Sequence, residues 1–491
     1  MIHYVTVHSV INRVGVTFLF IKGLRHNMNI VFFVALGIYL LIFLGISVWD
    51  VKGVKNFTDF AVAGRTQGTF AVTMTLLATM LGASTTIGIT DTVYTDGLSG
   101  IWWMVCGAIG MILQSLLISG KVRETEADTL PDLARITVGK AAEMIIALVI
   151  VISWIGVIAG QLVALNSLVL FATGKSDIWI FILISAIVII YTMLGGQSSV
   201  VRTDKLQAFV IVIGIILCIV YIYVVMGNDP SRVSDDIGTF SEGYSPLKYF
   251  NQLFVIGGVF FLGPDIISRN FISKDESIAK KSAMLAGIGL FIFSIFIGLI
   301  GMWAKNNIPV VDMKGSRVLF YVANMTPVFI RLPLIFGLLS AILSSTDTCI
   351  INASSIFVKD ILKKDSVKAI RITVAVLGAL ATILAVSGRG DIMSLLSGAY
   401  SVYTPGVIFP LLIAILFYKK HGIKTALWVA AVIVGGLFGI AGTYFGELIS
   451  RMALPGVFVE NMTLVGMALS LVIALLSVRW KESDQSLSSS E

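Results

Sequence analysis

Charge is what this sequence has least of. Lys, Arg, Asp and Glu make up 13% of its 491 residues, about half the share found in soluble globular domains. With 57% hydrophobic residues, the chain cannot cover itself with polar surface in water, and a lipid bilayer is its expected solvent. Cysteine is nearly absent. Cys106, Cys218 and Cys349 sit in apolar runs at unrelated spacings, which excludes a disulfide framework or a thiolate metal motif. The four histidines, His3, His8, His26 and His421, all stand outside those runs. No histidine-based catalytic or zinc constellation follows, and no nucleophile–base pair marks an enzyme. The net charge of +7 is scattered over short connections and forms no basic face. It speaks for membrane topology signals and against nucleic acid.

What the sequence does have is apolar runs long enough to span a bilayer, which takes about 20 residues. Thirteen are expected, near 29–49, 68–92, 99–120, 141–172, 177–195, 203–226, 247–268, 282–303, 333–358, 369–387, 391–418, 423–446 and 460–478. The fold class is therefore an all-α membrane protein. Residues 1–27 hold only a short apolar stretch, Val14–Ile21, and Met28 stands directly before the first strong span. The segment reads as an extension from a mis-called start or as an amphipathic arm on the membrane. Residues 28–67 then form a peripheral helix and loop, 419–480 two peripheral helices, and 481–491 a polar tail. Lys and Arg concentrate in alternate connections, among them Arg65, Arg135, Lys140, Lys359, Lys363 and Lys419. That set is expected in the cytoplasm, with the C-terminus.

Two spans are interrupted. The second contains Leu81-Gly82-Ala83-Ser84-Thr85-Thr86, and the seventh contains Gly257-Gly258 and Gly263-Pro264. Each opens a run of five spans, so residues 68–226 and 247–418 are expected to form two inverted repeats with a binding site at the breaks. Small-residue helix packing is the competing account of the same glycines.

Ionisable residues at membrane depth are functional candidates. Asp204 opens a span within Arg202-Thr203-Asp204-Lys205, where it could also face the helix dipole. Asp347 lies deep in Ser344-Ser345-Thr346-Asp347-Thr348. Those hydroxyls and one carboxylate suit a hard cation such as sodium, or else back-bond to carbonyls one turn earlier. Asp265 follows the Gly263-Pro264 break and reads equally as the cap of a half-helix.

Four segments resemble the sodium:solute symporter family. They are Asp59–Arg65; Tyr191–Gly196 leading through Val200 to Thr203-Asp204 and Gln207; Arg269; and Ala341–Ser345. The resemblance implies the LeuT-type fold, a 5+5 inverted-repeat core with one helix before it and two after. It also implies a sodium site made by the carbonyls of Ala78, Leu81 and Ala341 with the hydroxyls of Ser344 and Ser345. A second cation site is implied at Asp204, with Asp347 and Thr348 where the family has hydroxyls. The solute is expected against Ser84 and Thr85, with Gln161 and Trp154 lining the same cavity and Phe260 and Phe261 as gates. Ala353-Ser354-Ser355 and Arg371-Ile372-Thr373 also resemble the choline-carrier branch. Met80 and Asp265 stand where that branch places tryptophans, so its aromatic cage for a quaternary ammonium is not expected.

The expected function is secondary active, sodium-coupled uptake of a small polar organic solute at the cell membrane. A proton-coupled symporter using Asp204 and Asp347 is the alternative. A transporter-like membrane sensor is another, and the short tail speaks against it.

Overall fold

The computed structural model describes residues 34–50, 54, 56–174, 177–227, 245–309, 317–388, 390–450 and 456–479. The N-terminal extension and the polar tail lie outside them. Nine helices among the described residues are long and apolar enough to cross a bilayer. They are joined by three shorter apolar helices, α1 (Val34–Asp50), α3 (Thr69–Met80) and one near the C-terminus, Met462–Leu476. Large apolar side chains cover the outside: Trp49, Trp179 and Val224 are about three-quarters exposed, as lipid contact demands. One two-residue ladder, Gly422–Ile423 against Val478–Arg479, departs from the all-helical expectation.

Between α1 and α3 a short helix, α2 (Phe57–Val62), ends in a tight turn where Ala63 and Gly64 adopt positive φ. The chain then enters α3, breaks, and resumes as α4 (Ile89–Asp96). It turns back at Gly97 into α5 (Trp102–Leu117). Two short helices, α6 (Ser119–Glu124) and α7 (Leu130–Thr137), lead to α8 (Lys140–Thr173). Two expected spans run on as one helix, α9 (Ile178–Val220), which bends at Gly196 with φ 62° and ψ −165°. A Cβ at Gly196 would lie 2.8 Å from the Phe60 ring. Glycine is needed there for the backbone angle and for the approach of α2.

The second interrupted span is α10 (Pro246–Leu262) followed by α11 (Pro264–Ile272), hinged at Gly263 in extended conformation. Pro264 cannot supply the amide that would continue the helix. Gly257 and Gly258, read from sequence as part of this break, lie inside unbroken helix. A Cβ on Gly110 of α5 would meet the Gly257 carbonyl oxygen at 2.2 Å. The glycines serve a close helix crossing, the competing account.

The chain continues through α12 (Glu276–Asn307) and the short α13 (Val318–Met325) to α14 (Val328–Ile356), which packs along α9. The helices α15 (Val367–Val386), α16 (Ile392–Phe417) and α17 (Thr425–Tyr444) follow.

Candidate functional site

The site begins with the break after α3. Leaving the helix at Leu81 (φ −84°, ψ 44°) strips the last-turn carbonyls of their intrahelical amides. Local hydroxyls take part of the load. Thr85 donates to the Met80 carbonyl at 2.7 Å, and Thr86 to that of Gly82 at 2.8 Å. Gln161 of α8 accepts the free amide of Ala83 at 3.1 Å. Gly82 is forced by crowding: a Cβ there would lie 2.4 Å from Ser345 Oγ and 3.2 Å from Gln161 Nε2.

Across the gap, α14 presents the two serines singled out from sequence. Ser345 donates its hydroxyl to the Thr79 carbonyl at 2.8 Å, and Ser344 donates to Asp204 Oδ1 at 2.6 Å. A hydroxyl has one proton and two lone pairs. With both protons committed, both oxygens keep lone pairs for a cation between α3 and α14. Ala341, Ala78 and Leu81 are buried on the same two helices, so five of the expected sodium ligands belong to facing elements.

Asp204 is fully buried and is the hub of the polar centre. Thr75 donates to its Oδ2, and the wholly buried Arg269 reaches the same atom at 3.1 Å. Arg269 Nη2 also meets Thr348 Oγ1 at 2.6 Å, Thr79 Oγ1 at 2.7 Å and Thr75 Oγ1 at 3.1 Å. The guanidinium thus stands between Asp204 and Thr348, two of the three residues expected to share a second cation. Asp347, the third, faces elsewhere. It accepts from Tyr191 at 2.7 Å and from Thr192 at 2.5 Å, both on the first half of α9. The structure divides the expected trio.

A cavity opens at the break. Of the residues expected around the solute, Ser84, Gln161 and Phe260 line it, joined by Thr79, Asp265, Cys349 and Tyr400. Thr85 is 1% exposed with its hydroxyl bound to backbone, and it serves the break instead of the cavity wall. Trp154 stands one layer back, edge-on to Tyr403 at 5.0 Å between ring centres. Phe261 is absent from the lining, and its carbonyl accepts from Gln114 at 3.0 Å. Thr75 and Thr79 were missed in the sequence. Their signal was two hydroxyls one turn apart in a helix whose other hydroxyls are Thr69 and Thr73.

At one end of the bundle an ion-pair network ties the elements together. Asp128 takes both Arg65 and Lys359. Asp132 takes Arg135 at 2.6 Å and Lys359 at 3.3 Å, and Glu143 takes Lys363. Burial pushes the Asp132 carboxyl up, but Lys359, Arg135 and the Asp128 amide outweigh it and hold it below the usual carboxylate range.

Comparison with known proteins bears on this geometry. A family model described as sodium:solute symporter family matches residues 60–435. The human high affinity choline transporter 1 is 27% identical, over 83% of this chain and 76% of the relative. The sodium/proline symporter of Escherichia coli (strain K12) is 24% identical, over 85% of this chain and 88% of the relative. Among solved structures, a Na+-coupled sialic acid symporter superposes with a TM-score of 0.73 at 18% identity, covering 93% of this chain and 99% of the other. Mhp1, a nucleobase-cation-symport-1 family transporter, superposes with a TM-score of 0.55 at 16% identity, covering 85% and 93%. Two broken helices that meet over a polar centre, in a chain matched over most of its length, lead to one assignment: this protein belongs to the sodium:solute symporter family and is a multi-pass membrane transporter of the LeuT-type fold.

Proposed function

We infer that the protein is a secondary active symporter that uses sodium to drive uptake of a small polar organic solute. One observation carries the reading. Ser344 and Ser345 give both hydroxyl protons to acceptors at the break and on α9, so their oxygens are left as neutral ligands, and the carbonyls of the buried Ala78, Leu81 and Ala341 would complete the set. A sodium there would touch α3 and α14 together. Its binding would favour one arrangement of these helices, and that preference is the coupling free energy between ion and solute.

The same geometry supports a single coupling sodium. The Arg269 guanidinium already compensates Asp204 and lies against Thr348. One ion is sufficient energetically. Moving one charge down ~100 mV yields roughly 2.3 kcal/mol, and a tenfold gradient adds about 1.4 kcal/mol. Together they permit roughly 500-fold accumulation of a neutral solute. The end that carries Arg65, Arg135, Lys359 and Lys363 is assigned to the cytoplasm on charge bias, and with it the C-terminus.

The test is the melting temperature of the purified protein in sodium chloride against potassium chloride at equal ionic strength. Sodium should stabilise the folded state in proportion to its occupancy, and the Ser344→Ala/Ser345→Ala double variant should lose that response. A wild-type protein that melts identically in both salts defeats the sodium reading.

A further inference from the structure

Asp265 is the carboxylate that the mechanism above leaves without a task. It stands in the first turn of α11 and lines the cavity opposite Ser84 and Gln161. The residue is 8% exposed, and its Oδ1 has no hydrogen-bond partner among the described residues. Its Oδ2 meets the Cys349 thiol, a weak donor, at 4.0 Å, and the amides of Asp265 and Ile266 that open α11 lie against the same carboxylate. Arg269, one turn on, does not reach this carboxylate. Nη2 is occupied by Asp204 and three threonines, while Nη1 donates to the Asp265 backbone carbonyl at 3.3 Å and to Ser268 Oγ at 3.0 Å.

The charge balance of the centre points the same way. Asp204, Asp265 and Asp347 are buried around a single guanidinium. Buried carboxylates need a cation or a full set of donors. One sodium between α3 and α14 supplies one positive charge, and the Arg269 guanidinium is shared between Asp204, which it pairs with directly, and Asp265, which it attracts only at longer range. The same wall carries the rings of Phe260 and Tyr400.

We propose that Asp265 is the subsite for a cationic nitrogen of the solute, and that the transported compounds are small organic ammonium ions or amino-acid zwitterions. The proposal rests on the symporter reading of this cavity. The ammonium would pair with Oδ1, and an aromatic face of Tyr400 or Phe260 would lie within reach of its methylene or methyl groups. The remaining polar part of the solute would meet Ser84 and the Gln161 amide. The bland account of Asp265 is a carboxylate stabilised by the amides that open α11. That account predicts no preference among solutes.

The two accounts separate in a thermal-shift series on the purified full chain in sodium. Each ammonium probe is paired with a neutral or anionic isostere: ethanolamine with ethylene glycol, choline with dimethylbutanol, and L-proline with tetrahydrofuroate. At least one ammonium member should raise the melting temperature while its isostere does not. Asp265→Asn should weaken that ligand tenfold or more, as loss of a charge-assisted bond implies, and Asp265→Glu should retain the preference. The sodium response without solute should persist in both variants and shows that they are folded. Isosteres that stabilise as well as their ammonium partners overturn the proposal. So does a series in which no ammonium stabilises, or an Asp265→Asn protein whose ammonium affinity is unchanged. Each of these results leaves the sodium response standing, whereas loss of the wild-type sodium response strikes the symporter reading itself.

Discussion

Ser344 on α14 donates to Asp204 Oδ1 on α9 at 2.6 Å, while its neighbour Ser345 donates to a carbonyl on α3. Adjacent side chains therefore face different structural debts. Ser345→Ala removes a neutral oxygen whose partner is the Thr79 carbonyl, in the last turn before the break. It should raise the sodium concentration for half-maximal stabilisation about tenfold and leave the melting temperature in potassium nearly unchanged. Ser344→Ala should show the same sodium effect together with a loss of about 1–3 kcal/mol, because a buried carboxylate oxygen loses its donor. Equal melting temperatures for the two variants in potassium would remove the distinction.

Arg269 touches four residues from three helices through one nitrogen. Arg269→Gln leaves the Asp204 carboxylate buried beside nothing but hydroxyls, a situation that costs about 3–5 kcal/mol. Poor membrane yield is expected. Adding Asp204→Asn should recover folded protein, since the charge and its counter-charge then leave together. The cycle is read by melting temperatures of the singles and the double.

Gly82 and Gly110 are both closed to a methyl group, for different reasons. Gly82→Ala pushes on Ser345 and Gln161, so it should weaken sodium and solute at once. Gly110→Ala drives the α5 backbone from that of α10, at 2.2 Å from the Gly257 oxygen. It should lower stability by about 1–3 kcal/mol with sodium affinity intact in the folded fraction. Sodium titrations followed by thermal melts read both.

Asp132 is held below the usual carboxylate range by Lys359 and Arg135 in spite of burial. A depressed folded pKa gives stability that is fully present above the unfolded value, near 4, and is lost as pH falls through the folded value. Asp132→Asn should therefore remove part of the acid-induced loss of stability below about pH 4 and lower stability at neutral pH. An unchanged acid limb in melts across pH 3–7 counts against this assignment.

Asp347→Asn addresses a carboxylate bonded to Tyr191 and Thr192. An amide offers one acceptor in place of two, so one of these hydroxyls loses its partner. Stability should fall by roughly 1–3 kcal/mol while the sodium titration keeps its midpoint. A displaced sodium midpoint would bring Asp347 back into the cation site.

The breaks, the serines and the buried carboxylates were legible because each violates a simple expectation for membrane helices: a glycine run, paired hydroxyls, a charge. What they face was not. Gly257-Gly258 reads the same whether it loosens a helix or seats a neighbour, and only the register of Gly110 on α5 decides. Thr85 was placed at the solute, but the break it sits in claims its hydroxyl first. Asp347 lies two residues from Ser345, close in sequence, yet on an α-helix that is about 200° round the axis, and the rotation carries it toward Tyr191. Arg269 could be recognised as a family feature. Its partners at Thr75, Thr79, Asp204 and Thr348 come from distant stretches of chain, and their meeting is a property of packing.

The tethered guanidinium of Arg269 has an electrical consequence. It places a unit of positive charge at the heart of the molecule without that charge ever crossing the membrane, so it contributes nothing to the current of a turnover. Only what leaves with the cycle is counted. One sodium with a zwitterion moves a single elementary charge, and one sodium with an ammonium ion moves two. A voltage step across a bilayer holding this protein should thus shift the uptake equilibrium by about 2.3 kcal/mol per 100 mV in the first case and by about twice that in the second.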